Sequence, residues 1–209
     1  MEQPKLKSIE LLSDGWLKKY LMKYDLPNGQ VKTYDSISRK SPDAYLAELQ
    51  RGERPPYIDA VSIVATTDDD EILLIKEFRY PLNSWCVAFP AGLMDGDEPV
   101  EAAVERELRE ETGYAVKRHA DGTPMLRMLP QPSYSSNGMT EECLAIVRAQ
   151  VEKVGEPQPE PSEFIEVFPL PIKDIPRFLD ENTLPIGSRT QLVLESYSGR
   201  IGPGSENRL

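Results

Sequence analysis

GLMDGDEPVEAAVERELREETGY occupies residues 92–114, and its reading decides how the rest of the chain is understood. The second half has helical spacing. Val100, Val104 and Leu108 recur every four residues and, with Ala103, form one apolar stripe suited to packing on a sheet. Six glutamates nevertheless crowd between Glu98 and Glu111, with only Arg106 and Arg109 to offset them. On a helix Glu111 falls on the apolar line, Glu107 sits one turn earlier at its edge, and Glu110 lies further round. A carboxylate on a buried line is costly unless something pairs with it, and like charges at i,i+4 repel. Two arrangements accommodate the pattern. In one, Glu107 and Glu111 gather a hard divalent cation, since Mg²⁺ prefers carboxylate, carbonyl and water oxygens. In the other, the helix is solvated and held by pairs such as Glu105–Arg109. The second suits Glu101, Glu105 and Arg109 but places Glu107 and Glu111 on the wrong side; helical position alone leaves both readings open.

The totals narrow the classes of function. A chain of 209 residues accommodates one domain with a sizeable core, or one domain and a small appendage. Its net charge of −11 argues against a nucleic-acid partner, whose phosphates call for a basic face. An anionic small molecule remains compatible if a cation bridges it to an acidic site. No apolar run approaches the ~20 residues that span a bilayer, so no membrane partner is expected, and the first residues lack the apolar core of a signal peptide. Cys86 and Cys143 are the two cysteines and His119 the one histidine. Without a CxxC pair, a disulfide framework and a Cys/His zinc site are both disfavoured, and a reduced, cytoplasmic setting is expected. The cysteines read as core fillers and His119 as a surface residue in a turn.

Working outward, residues 16–26 and 30–38 read as two strands joined by Pro27, Asn28 and Gly29, a strong hairpin signal. A short helix or loop follows and ends at Pro55 and Pro56. From Ile58, apolar strands are expected at 58–66, 71–80 and 85–92, then the glutamate-rich helix. Further strands are expected at 114–118, 125–129, 142–149 and 164–169, and helices at 173–181 and 188–198. The spacing predicts an α/β (α+β) fold, a mixed β-sheet with helices packed on it. Three regions follow: residues 1–56, an N-terminal β-hairpin region; 57–198, the main domain; and 199–209, a mobile tail.

The order Gly92, five residues, Glu98, seven residues, Arg106-Glu107-Leu108, then Glu110-Glu111 and Gly113-Tyr114 resembles the Nudix box, the signature of hydrolases of nucleoside diphosphates linked to another group. Tyr114 departs from it, standing where an aliphatic residue is usual. The resemblance extends to residues 76–98, KEFRYPLNSWCVAFPAGLMDGDE, which look like the same stretch of ADP-ribose and ADP-sugar pyrophosphatases. Pro130 and Pro132 lie where that branch carries a proline beyond the box, although the usual Pro-Gly is Pro132-Ser133 here.

The resemblance implies a Nudix fold with the sheet sandwiched by helices, and metal-dependent hydrolysis of ADP-ribose or a related ADP-sugar to AMP and a sugar phosphate. It implies Mg²⁺ (or Mn²⁺) held by Glu107, Glu111 and the Ala91 carbonyl, with Glu110 as a ligand or neighbour. It further implies that Arg106 orients the glutamates and that Glu98 stabilises the loop. It also implies a homodimer whose N-terminal hairpin supplies aromatic rings for adenine. Trp16 and Tyr34 fall where those rings are expected, though ordinary hairpin packing explains a lone aromatic equally well. Arg79, ending the strand at KEFRY, is a candidate diphosphate clamp because a guanidinium forks onto phosphate oxygens; a surface salt bridge is the plainer alternative. Arg39 is a weaker candidate for the same task. The catalytic base of this branch tends to lie on a later loop, which points to Glu163 in residues 155–163 and then to Glu166; Glu141 and Glu142 are further candidate carboxylates for a metal. Alternatives are a Nudix hydrolase for another nucleoside-diphosphate sugar or a dinucleotide, and a non-catalytic ADP-ribose-sensing domain.

Overall fold

A computed structural model describes residues 2–51 and 58–201. Close contacts divide the chain into two compact units: Met1–Asp59 with Pro132–Leu144, and Ala60–Gln131 with Ala145–Leu209.

The first unit is built on a three-stranded antiparallel sheet, β1 (Lys5–Ser13), β2 (Lys18–Asp25) and β3 (Val31–Ser38). The expected hairpin is β2–β3, turned at Gly29 with a φ of 81°. β1 is an addition the sequence reading did not contain. Its polar/apolar alternation is interrupted by register shifts after Leu6 and Leu11, and most of it is exposed. α1 (Pro42–Gln50) is capped by the Ser41 hydroxyl, which accepts from Ala44 N–H, and has proline in its first turn. It packs Tyr45 edge-on against Tyr20, 5.1 Å between ring centres, in a small core with Met22. β10 (Ser133–Tyr134) pairs with the start of β11 (Cys143–Lys153), and Met139 O accepts from Ile37 N–H at 2.9 Å, joining this later segment to the sheet.

The second unit holds β4 (Ala60–Thr66), β5 (Glu71–Arg79), β6 (Ser84–Ala88), β7 (Ala91–Leu93), α2 (Val100–Glu107), β8 (Tyr114–Val116), β9 (Leu126–Met128), the rest of β11, β12 (Ile165–Pro171), α3 (Ile175–Glu181) and α4 (Ser188–Tyr197). The strand order is β11-β4-β5-β12, with β6 on β5, β7 on β4, and β8 and β9 on β11. Alternation along β5 assigns its two faces. Ile72 and Leu74 join Val64, Val87, Phe89, Ile175 and Leu194 in a core covered by α3 and α4. Leu73 and Ile75 therefore face the other way, and α2 packs on β4 and β7 with Ala103, Val104 and Leu108 fully buried. The mixed sheet is sandwiched by helices. The apolar stripe of residues 92–114 faces it as its spacing predicts. Most of the expected tail lies outside the described residues.

Candidate active site

The glutamate-rich segment does not stay α-helical. After Glu107 it continues as a π-helical turn, Leu108–Thr112, which ends at Gly113 with a φ of 73°. The Thr112 hydroxyl donates to Leu108 O within this turn. A π turn inside a helix often marks a functional site, and this one carries Glu110 and Glu111. Gly113 is required twice over: its φ disfavours a side chain, and an added Cβ would lie 2.3 Å from Gly155 O.

Glu107 and Glu111 are both buried, 8% and 4% exposed. They meet the β7 turn at two adjacent residues. Glu111 Oε2 accepts from Ala91 N–H at 3.0 Å. The Glu107 carboxyl occupies the space a side chain on Gly92 would need, since a Cβ there would lie 1.8 Å from Glu107 Oε1. Arg106 organises the loop around them. One end of its guanidinium donates to Leu93 O at 2.8 Å and Glu98 Oε1 at 2.7 Å; the other donates to Glu107 Oε1 at 2.7 Å and reaches Glu110 Oε2 at 3.5 Å. Glu98 closes the loop by accepting from Asp95 N–H at 2.7 Å.

The electrostatics separate these carboxyls. The hydrogen bond from Arg106 holds Glu98 below the usual carboxylate range. Burial raises Glu107 despite Arg106. Burial, reinforced by the charge of Glu107, raises Glu111 well above the ordinary value, against the opposing hydrogen bond from Ala91. Glu163 contributes repulsion to both. It is brought near by β12: Phe78 N–H donates to Phe164 O at 3.0 Å, Tyr80 Oη donates to Ser162 O at 3.0 Å, and Glu163 itself closes a turn onto Glu160 N–H at 3.0 Å.

A further carboxylate belongs to this group and was missed in the sequence: Glu77 on β5. Burial raises its pKa against the pull of Arg79, Glu163 repels it, and it repels Glu111 in turn. The available signal was strand parity, because Glu77 and Arg79 continue the face of Leu73 and Ile75 toward the glutamate-rich helix.

A loop–helix–turn that buries two glutamates against a glycine-bearing strand, with an arginine tying its ends, is what the box pattern predicts. The NUDIX domain family matches residues 56–187. The chain belongs to the Nudix family. It is 32% identical to the ADP-sugar pyrophosphatase of Mus musculus over 193 residues, 90% of this chain and 81% of that protein. It is 29% identical to the ADP-ribose pyrophosphatase of Saccharomyces cerevisiae over 189 residues, 86% of this chain and 76% of that one. A crystal structure of an ADP compounds hydrolase shares the fold, with a TM-score of 0.68 and 21% identity over 98% of both chains.

The remaining candidates of this Nudix chain are placed as follows. Arg79 is half-exposed, and its Nη2 is 2.7 Å from Glu77 Oε2. Glu166 is turned the other way, against Lys76 at 3.1 Å. In the first unit Tyr34 lines a groove of about 480 Å³ with Tyr45, Tyr134 and Met139, and its hydroxyl donates to Gly138 O at 2.8 Å. Trp16 is 75% exposed in the β1–β2 connection and is not part of that lining. Arg39 is paired with Glu142 at 2.5 Å, and Glu141 accepts from Ser38 Oγ at 2.5 Å, so all three are engaged within the first unit. Cys86 and Cys143 are buried and form no disulfide with each other, and His119 is exposed in a turn.

The donor set suits a hard divalent cation: it consists of carboxylate oxygens, two are held against residues 91 and 92, and among the described residues Arg106 is the cation paired with Glu107. Among the described residues no three acidic, imidazole or thiol groups form a ready cage, and Glu107 Oε1 is instead turned onto Arg106. No helix among them is long and apolar enough to cross a membrane.

Proposed function

We propose that this Nudix chain hydrolyses the diphosphate bond of ADP-ribose or a related ADP-sugar, releasing AMP and a sugar phosphate, and that it works with Mg²⁺ or Mn²⁺. The observation that carries the reading is the seating of the Glu107 and Glu111 carboxyls on Gly92 and Ala91. The mouse and yeast relatives named for ADP-sugar and ADP-ribose support the substrate class.

Glu107, Glu111 and the Ala91 carbonyl would hold the metal, with Glu110 beside them. When bound, such an ion supplies positive charge for the phosphoryl oxygens and lowers the pKa of a coordinated water. The chain's own residues do the rest. Arg106 keeps Glu107 and the loop at Glu98 in place. Arg79 binds a phosphate oxygen. Glu163, exposed on a turn beside the buried carboxyls, takes the proton of the attacking water. Tyr34 and Trp16 offer faces for adenine, and the enzyme acts as a cytoplasmic homodimer. Positioning and charge stabilisation supply most of the rate.

The test is a substrate panel: ADP-ribose, an ADP-hexose, GDP-mannose, UDP-glucose and a dinucleoside diphosphate, each with Mg²⁺ or Mn²⁺, scored by nucleotide release. The two ADP-sugars should exceed the others by about tenfold or more in kcat/KM, the discrimination expected of a few base contacts. Tight binding of ADP-ribose with no AMP formed under either metal would overturn the reading in favour of a sensor.

A further inference from the structure

Glu77 has no assigned task, yet its position is demanding. Its side chain is 16% exposed, on the face of β5 that continues Leu73 and Ile75 toward Glu107 and Glu111. Its neighbours by register are Cys86 on β6 and Ile165 on β12, neither of which pairs a charge. A carboxylate at such a place gives the fold nothing that an apolar side chain would not give better. What it does hold is the guanidinium of Arg79, two residues along the same face, at 2.7 Å. Arg79 is otherwise a long, half-exposed side chain at the end of a strand, with considerable conformational freedom to lose on binding. A guanidinium has five N–H donors, so an ion pair with Glu77 still leaves donors for a ligand.

We propose that Glu77 is the positioning residue of Arg79. It fixes the guanidinium beside the carboxylate cluster before substrate arrives, so that the diphosphate meets an ordered clamp. The inference rests on the diphosphate-hydrolase reading above. The direction of the effect separates it from simple electrostatics. Deleting a negative charge near an anionic ligand should tighten binding, whereas loss of a tether should weaken it.

The experiment is steady-state kinetics on ADP-ribose with Mg²⁺ for the wild type, Glu77→Ala, Glu77→Gln, Arg79→Ala and the double variant, with folding checked by circular dichroism. Glu77→Ala should raise KM about tenfold and leave kcat within about threefold, the pattern of lost ground-state binding. Glu77→Gln retains an acceptor for the guanidinium and should recover most of the loss. In the Arg79→Ala background the Glu77 substitution should cost nothing further. Should Glu77→Ala fail to fold, Glu77→Met, of similar size, takes its place. A fall in KM, an undiminished cost in the Arg79→Ala background, a Gln variant as impaired as the Ala variant, or a shift confined to the Mg²⁺ activation midpoint would each overturn the proposal. A wild type that releases no AMP defeats the hydrolase reading itself, whereas an active wild type without Glu77–Arg79 coupling defeats only this inference.

Discussion

At the scale of single residues, the site is a problem of buried charge. Glu111 is raised well above its ordinary pKa by burial and then by Glu107, so the folded protein favours its protonated form more than the unfolded chain does. By linkage this contribution is fully present below the unfolded-state value near 4.5 and is lost as pH rises through the raised folded-state value. Glu98 runs the other way: its lowered pKa gives stability present above its unfolded value and lost on acidification. The Glu111 contribution therefore shows in the difference between wild type and Glu111→Gln. In chelator, the wild-type Tm should fall relative to the variant as pH rises from about 5 to 8, and Mg²⁺ should restore the wild type most at the high end. A difference that stays flat across that range would show that Glu111 is not perturbed. The same substitution should lower kcat by roughly 10²–10³-fold, the scale of one lost contact to transition-state charge, read with ADP-ribose under saturating Mg²⁺.

At the scale of elements, the box works because two backbone features coincide. β7 supplies a residue with no side chain, and the π turn carries Glu111 to the residue beside it. Gly92→Ala would place a carbon 1.8 Å from Glu107 Oε1, well inside van der Waals contact, so the carboxyl must leave or the strand must shift. Misplacement on the scale of 1 Å can cost about 10²-fold in rate, and kcat/KM should fall by at least that while circular dichroism stays native. An alanine variant with unimpaired kinetics would mean that the position of Glu107 is not what the chemistry uses. Arg106 ties the loop into this shape by linking Leu93, Glu98 and Glu107 through one planar group.

At the scale of the whole molecule, charge also organises the first unit. Lys40 Nζ meets Glu48 at 3.0 Å, Asp59 at 3.1 Å and Glu141 at 3.3 Å. Burial works against the ammonium, but Glu48, Asp59 and Glu141 outweigh it and raise its pKa above the usual lysine range. Lys40→Met removes the cation shared by three largely buried carboxylates and should cost about 2–4 kcal/mol, seen as a Tm several degrees lower at pH 8; an unchanged Tm would mean that their remaining hydrogen bonds and solvent already stabilise the group. Such contacts mark the limit of what could be read along the chain. The amphipathic stripe at Val104 and Leu108, the turn at Gly29 and the box spacing are written in neighbouring residues, because helical period and turn chemistry act over a few positions. β1 escaped because its bulges break the alternation, and Glu77 escaped because the face of a strand has meaning only once the helix that covers it is known. Ser38 meets Glu141 across 103 residues, and no local pattern announces that meeting. The amino-acid order by itself determined the family signature, the buried face of the helix and the acidic character of the site. Only tertiary packing decided which carboxylates share one space and which arginine stands among them, since those pairings follow from strand register and burial between distant segments.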